Sequence, residues 1–381
     1  MSRLFNRMDK ILLFTTLIMF GYGLFMIFDA SSMRAHFEYD NDLYYFNKQL
    51  IILIISIFAS IFFILLPTKR YKKNVLPVSI IIIIMLLFLL VSGERANGVK
   101  SWITFGPISI QPSEFAKLAI ILFSGVYYKA NARYLKTFVS CLFPLGLGAA
   151  FTILTLAQPD AGTGIILFGI TMLLFYASPA TKNVKMKVSL LLLSLTVLGI
   201  CILPLFGKKI LNSTQLERFN YFNPCSRYQE NSGYQVCNSY IAINNGKIFS
   251  ISPGNSTQKY EYLPEAHTDF IFPIIVEEFG LISGIVIILF YMIIIYRVLY
   301  QAKRTTNIGN GLICYGVACY LFLHVTINLV GVLGLLPLTG VPLPFLSYGG
   351  SFALTLAISL AIVQRISIET HLEEARRALG N

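Results

Sequence analysis

Apolar runs about as long as a bilayer is thick alternate with short polar and basic stretches along most of the chain. A spanning helix takes about 20 largely apolar residues, because the hydrocarbon core is about 30 Å thick and each residue rises about 1.5 Å. Runs that qualify occupy 11–28, 48–66, 75–92, 114–128, 138–156, 162–178, 188–206, 271–298, 310–333 and 351–366. They predict an all-α polytopic membrane protein with about ten transmembrane helices. The fourth run is short and contains Lys117, so its hydropathy is the weakest of the set. Between the seventh and eighth runs the pattern gives way to one long polar loop, 207–270, within a single domain covering 1–381. After the first run, Asp29-Ala-Ser-Ser-Met-Arg34 shows no small-residue cleavage pattern, so that run reads as a retained helix.

Composition supports lipid as the solvent. Hydrophobic residues make up 56% of the chain and charged residues 13%, against about 25% charged in a soluble domain. The net charge of +12 does not point to nucleic acid, because its basic residues fall in short clusters between apolar runs. Such clusters set membrane topology. With both termini in the cytoplasm, the inner connections and the span ends beside them hold nineteen Lys and Arg, and the short outer ones with their span ends only Arg34, Lys48, Arg95 and Lys100. That asymmetry orients the chain and puts the long loop on the extracytoplasmic side. Cys141, Cys201, Cys314 and Cys319 lie in apolar runs and act as small hydrophobes. Cys225 and Cys237 lie twelve apart in the loop, where pairing depends on compartment and on a geometry that spacing does not reveal.

The soluble-enzyme signatures G-x-x-x-x-G-K-[ST], H-E-x-x-H and G-x-S-x-G are absent. Candidate chemistry lies instead in ionisable groups in or beside the apolar runs, where burial is costly. Around Gly98–Lys117, Pro107, Pro112 and two glycines exclude one continuous helix. Pro112-Ser-Glu114 then starts a helix with a carboxylate in its first turn. Glu114 and Lys117, three apart, share a face. Either they form an internal ion pair that holds the helix in its bundle, or Lys117 faces a polar cavity and meets an anionic substrate. In Gln158-Pro-Asp-Ala-Gly-Thr163, Asp160 is placed to cap the sixth span and also lies at a candidate site.

A third cluster crowds the outer end of the eighth span: Glu261, Glu265, His267 and Asp269, with Glu277 and Glu278 further inside. Neighbouring carboxylates and partial burial raise a carboxyl pKa, which makes Asp269 a candidate general base. The plainer alternatives are that Thr268 or Asp269 caps the helix and that Glu277 and Glu278 bind other helices. Finally, Gly331–Phe352 is rich in proline and glycine and has no charge. Irregular backbone of this kind at membrane depth must be covered by protein or line a cavity, unless it is a simple outer loop. Gly280-x-x-x-Gly284 is a weak packing signal.

At these clusters the chain resembles the SEDS family of shape, elongation, division and sporulation proteins, which includes FtsW and RodA. The resemblance rests on Trp102-Ile103 with Gln111-Pro-Ser-Glu-Phe-Ala-Lys117, Gln158-Pro-Asp-Ala-Gly-Thr163, Tyr262-Leu-Pro-Glu-Ala-His-Thr-Asp-Phe-Ile-Phe272, Glu277-Glu278-x-Gly280 and Pro342-Leu-Pro-Phe-Leu-Ser-Tyr-Gly-Gly-Ser351. It implies a peptidoglycan glycosyltransferase of the cytoplasmic membrane that polymerises lipid II on the outer face, for division or elongation. The implied partner is a class B penicillin-binding protein, the transpeptidase that crosslinks the strand. The family's essential aspartate falls on Asp269, and Lys117, Asp160 and Glu261 fall on positions used in or near a central cavity, with Glu114 and His267 beside them. Many members carry an arginine where this chain has Ser109, leaving Lys100 or Arg95 to take its place. A divalent cation, Mg or Mn, is the only cofactor entertained. Tyr260–Asp269 and Asn97-Gly98 lean toward the FtsW branch. The rival readings are a lipid II flippase or transporter, disfavoured because no internal repeat is visible, and a non-catalytic division scaffold.

Overall fold

The computed structural model describes residues 2–92, 94–96, 99–105, 108–205, 223–227, 231–249, 253–260 and 262–379. The fold is mostly helical, and each of the ten apolar runs falls in a helix. In chain order these elements are α1 (Ser2–Phe5), α2 (Lys10–Tyr39), α3 (Tyr44–Leu65), α4 (Thr68–Lys73), α5 (Val75–Ser92), α6 (Pro112–Ala130), α7 (Val139–Ala157), α8 (Ala161–Ala177), α9 (Lys182–Leu205), α10 (Asn231–Gly246), α11 (Ile271–Arg304), α12 (Ile308–Val332) and α13 (Gly350–Ala378). Among the described residues six helices, α2, α3, α7, α11, α12 and α13, are long and apolar enough to cross a membrane by length and composition.

The all-α expectation needs one correction. Between α5 and α6, β1 (Glu94–Ala96), β2 (Val99–Phe105) and β3 (Ile108–Ile110) form a small antiparallel sheet in the order β1-β2-β3. Pro112, one of the residues that forbid a continuous helix here, opens α6, with Glu114 in its first turn. Much of 207–270 lies outside the described residues, but its described parts are not a featureless loop. They include α10 and a disulfide between Cys225 and Cys237.

Burial separates a central group of helices from a lipid-facing shell. In the apolar window of α13, 83% of residues are buried, against 17% in α3, so α13 is core and α3 is periphery. Phe58 and Phe62 on α3 and Ile285 on α11 are exposed, as expected where the solvent is hydrocarbon. α6 packs against α5, α7, α8, α12 and α13 and forms the centre of the bundle.

Caps and pins set the helix positions. Asp9 Oδ1 accepts from the Leu12 amide at 3.0 Å and starts α2. The same carboxylate takes Arg297 Nη2 at 2.7 Å and Gln301 Nε2 at 2.8 Å, tying α2 to α11. Gln364 of α13 bonds the Asp9 backbone at both its amide and its carbonyl. α11 is not one straight rod. Gly280 has φ 78° and ψ 169°, which breaks the helix, and the Leu281 amide donates instead to the Lys247 carbonyl at 3.0 Å. Gly280 therefore marks a kink rather than one end of a packing stripe.

Candidate active site

The site is built around the irregular segment between α12 and α13. Val341, Leu343, Phe345 and Leu346 are all buried, so protein covers this stretch and it is no simple outer loop. Three of the clusters singled out in the sequence reach it: one from α6, one from the start of α8 and one from the stretch before α11.

α6 brings Glu114 and Lys117 into the bundle interior, where they are 2% and 1% exposed. Lys117 Nζ donates to Glu114 Oε1 at 2.7 Å, the internal ion pair that their spacing allowed. It also lies 2.9 Å from His324 Nε2 on α12. The other ring nitrogen, Nδ1, sits 3.2 Å from the Pro342 carbonyl. A carbonyl only accepts, so Nδ1 carries the proton and Nε2 accepts from Lys117. Tyr320 and Phe352 enclose the ammonium, at 5.5 and 5.7 Å from their ring centroids. In this arrangement Lys117 braces the segment from behind and shows almost no surface.

α8 presents Asp160. One carboxylate oxygen caps the helix by accepting from the Thr163 amide at 3.0 Å. The other accepts from Gln111 Nε2 at 3.1 Å, and the Gln111 amide in turn donates to Ser351 Oγ at 3.0 Å. A Cβ at Gly162 would stand 2.6 Å from the Thr339 carbonyl, so the start of α8 lies directly on the irregular segment.

Asp269 arrives on the turn-rich stretch before α11. Its neighbours are held by backbone bonds to the same segment: Ser347 Oγ donates to the Thr268 carbonyl at 2.6 Å, and the Tyr348 amide donates to the His267 carbonyl at 2.9 Å. A Cβ at Gly340 would lie 3.4 Å from Asp269 Oδ2. Neither Thr268 nor Asp269 caps α11; Phe270 occupies that position without a side-chain bond. The Asp269 carboxylate is therefore not committed to the helix. Burial pushes its pKa up to about 7, and the negative charges of Glu265 and Asp160 add to that rise. Glu265 (φ 60°) and Phe345 (φ 67°), which flank the site, both hold left-handed backbone. Such strain costs about 1–3 kcal/mol per residue and persists only where the surroundings enforce it.

The remaining candidates fall into two groups. His267 is 3% exposed and packs against Tyr45 and Tyr348, with ring centroids 4.5 and 5.7 Å away. Burial lowers its pKa to about 4, so it is a neutral packing residue near pH 7 rather than a cation. Glu261 lies outside the described residues, as do the side chains of Arg95 and Lys100, whose backbones are in β1 and β2. Ser109, in β3, is exposed.

Glu277 and Glu278 do structural work. Glu277 accepts from Ser256 Oγ, Asn245 Nδ2 at 2.9 Å, Thr257 Oγ1 at 3.2 Å and the Gln258 amide at 3.3 Å. Lys259 bridges Glu278 at 2.7 Å and Asp29 at 2.9 Å. Burial alone would lower the Lys259 pKa, but these two bonds raise it.

Residues with no sequence signal of their own also matter here. His324 and Asn328 are ordinary-looking polar positions in an apolar helix, suspicious only for being there. Arg34, near the C-terminal end of α2, is 40% exposed by side chain and reaches both Glu38 at 2.7 Å and Glu265 at 3.5 Å. Among the described residues no three His, Cys, Asp or Glu side chains stand together as a metal site.

A multi-pass helical bundle with an acid site gathered on a buried proline-rich segment defines the class of protein. The chain belongs to the FtsW/RodA/SpoVE family of cell cycle proteins, whose profile matches residues 10–372. It is 32% identical to the "Probable peptidoglycan glycosyltransferase FtsW" of Bacillus subtilis (strain 168), over 99% of this chain and 94% of that one. Stage V sporulation protein E of the same organism is 31% identical, over 94% and 96%. Among solved structures, the fold is similar to a chain described under "Structural coordination of polymerization and crosslinking by a peptidoglycan synthase complex" (TM-score 0.76, 21% identity, 96% of this chain and 98% of that one). It is also similar to the rod shape determining protein RodA of Thermus thermophilus (TM-score 0.66, 20% identity, 96% and 98%).

Proposed function

We propose that this protein is a peptidoglycan glycosyltransferase that polymerises lipid II at the outer face of the cytoplasmic membrane, with Asp269 as general base. The observation that best supports this is the meeting of Asp269, Asp160 and the Lys117–Glu114–His324 group on one segment, 339–349, from four separate parts of the chain. In the proposed topology ten helices cross the bilayer, both termini are cytoplasmic, and the region 207–270 is outside. The Cys225–Cys237 disulfide suits an oxidising exterior.

The reaction follows from those placements. Asp269 takes the proton from the 4-hydroxyl of the acceptor sugar as that oxygen attacks the anomeric carbon of the donor. The bond from that carbon to the pyrophosphate breaks, and polyprenyl pyrophosphate leaves with the electron pair. One displacement converts an α to a β linkage, so an inverting mechanism without a covalent glycosyl-enzyme is expected. Positive charge for the leaving pyrophosphate comes from the exposed Arg34, with Arg95 and Lys100 on the hairpin. Lys117 serves indirectly, through the segment that it braces. A divalent cation, if used, would take oxygen ligands from the pyrophosphate itself. A class B penicillin-binding protein is the proposed partner.

The test is polymer formation by the purified protein with such a partner, from lipid II already supplied on the outer side. Glycan strands are expected. A flippase or scaffold would give none, and a result of none in the active complex would overturn the proposal.

A further inference from the structure

We propose that Asn328 and His324, one turn apart on α12, are positioning residues that lock the Asp269 loop to the proline-rich segment. This inference rests on Asp269 being the base. Asn328 is 4% exposed, and its Nδ2 donates to two carbonyls at once: Asp269 at 2.9 Å and Val341 at 2.8 Å. Both partners only accept, so the amide orientation is set by chemistry: only the nitrogen can face them. These bonds join two stretches 72 positions apart in the chain, one carrying the base and the other its floor.

His324 extends the same face inward. It accepts from Lys117 and donates to Pro342, the residue after Val341. Its ring stacks on Phe352 at 4.7 Å between centroids, which holds its orientation. The buried ion pair on α6 is thus connected through His324, Pro342, Val341 and Asn328 to the backbone of Asp269. Neither side chain is placed at the reacting atoms. Their effect is on where the carboxylate sits and how much water reaches it, and an error of about 1 Å in such a position can cost about 100-fold in rate.

The experiment compares wild type, Asn328→Leu, Asn328→Ala, His324→Leu and His324→Gln in lipid II polymerisation as a function of pH. Backbone hydrogen exchange is measured on the same samples. Asn328→Leu keeps the branched skeleton of the side chain and removes both donors. It should lower kcat about 10-fold or more while KM stays within about twofold. It should also move the acid limb of the pH profile to lower pH, because a loosened Asp269 is better solvated. Exchange in peptides covering 262–272 and 338–344 should rise, which reports the clamp whether or not Asp269 is the base.

Gln at 324 can donate to Pro342 and accept from Lys117, so His324→Gln should recover most of what His324→Leu loses. If Asn328→Leu does not fold, Asn328→Ala carries the same predictions. Wild-type exchange, kcat and pH profile in the folded Asn328 variant would overturn the clamp. Raised exchange with a fully active Asp269→Asn protein would instead keep the clamp and refute the assignment of the base.

Discussion

In the proposed reaction a single carboxyl, Asp269, takes up the proton, and its surroundings set the pH at which it would do so. Burial, then Glu265 and Asp160, raise its pKa to about 7. A general base must be ionised, so polymerisation should rise with pH through about 7. Replacing Glu265 by Gln removes a nearby negative charge, favours the carboxylate and should shift that acid limb to lower pH. A pH–rate profile of the Glu265→Gln protein checks the sign, and a limb that moves upward would contradict it. The same shift has a stability consequence. A carboxyl whose folded pKa lies above its ordinary value of 3.8 binds more protons folded than unfolded, so stability falls as pH rises from 3.8 toward 7. Asp269→Asn should therefore raise the melting temperature above neutral pH. At this scale the sequence was informative about residue type but not about role. Glu277, Glu278 and Asp269 are all acids near one helix end, yet Glu277 accepts from loop donors and Glu278 pairs with Lys259, while Asp269 sits against Gly340 of the irregular segment. His324 and Asn328 act through partners more than ten positions away, which no local pattern encodes.

Helices and segments set where those residues sit. Helix starts were legible because caps are local: Pro112 at the start of α6 and Asp160 at the start of α8 both behave as their sequence contexts suggest. The short sheet between α5 and α6 was visible only as a place where a helix could not continue, since strand pairing depends on contacts outside any local period. The Gly280 kink was likewise hidden, because the freed amide finds its acceptor on Lys247, far back in the chain. α6 offers a direct test. Lys117 and Glu114 are buried together, so Lys117→Met should leave an unpaired carboxylate and destabilise the protein by about 3–5 kcal/mol. Adding Glu114→Leu should restore much of that stability, since both charges are then gone. Thermal unfolding in detergent measures both. Equal losses in the single and double variants would argue against the pair as a brace.

The whole molecule is a membrane bundle whose acid site gathers residues from α6, α8, α12, the loop before α11 and the segment before α13. Its class could be read from apolar runs and basic clusters, because both follow from the bilayer rather than from tertiary contacts. The meeting of the clusters at one point could not, since it depends on how helices distant in sequence pack. The proposed orientation predicts that single cysteines placed at Ser109 or Tyr262 react with an impermeant thiol reagent in intact cells, and that one at Lys73 does not. The opposite labelling would invert the topology. The most direct measurement of the central claim is polymerisation of outer-face lipid II by the wild-type complex beside the Asp269→Asn complex, with folding verified by melting temperature. Glycan strands from the first and none from the folded second are predicted. Wild-type polymer yield from the Asp269→Asn protein would contradict the account.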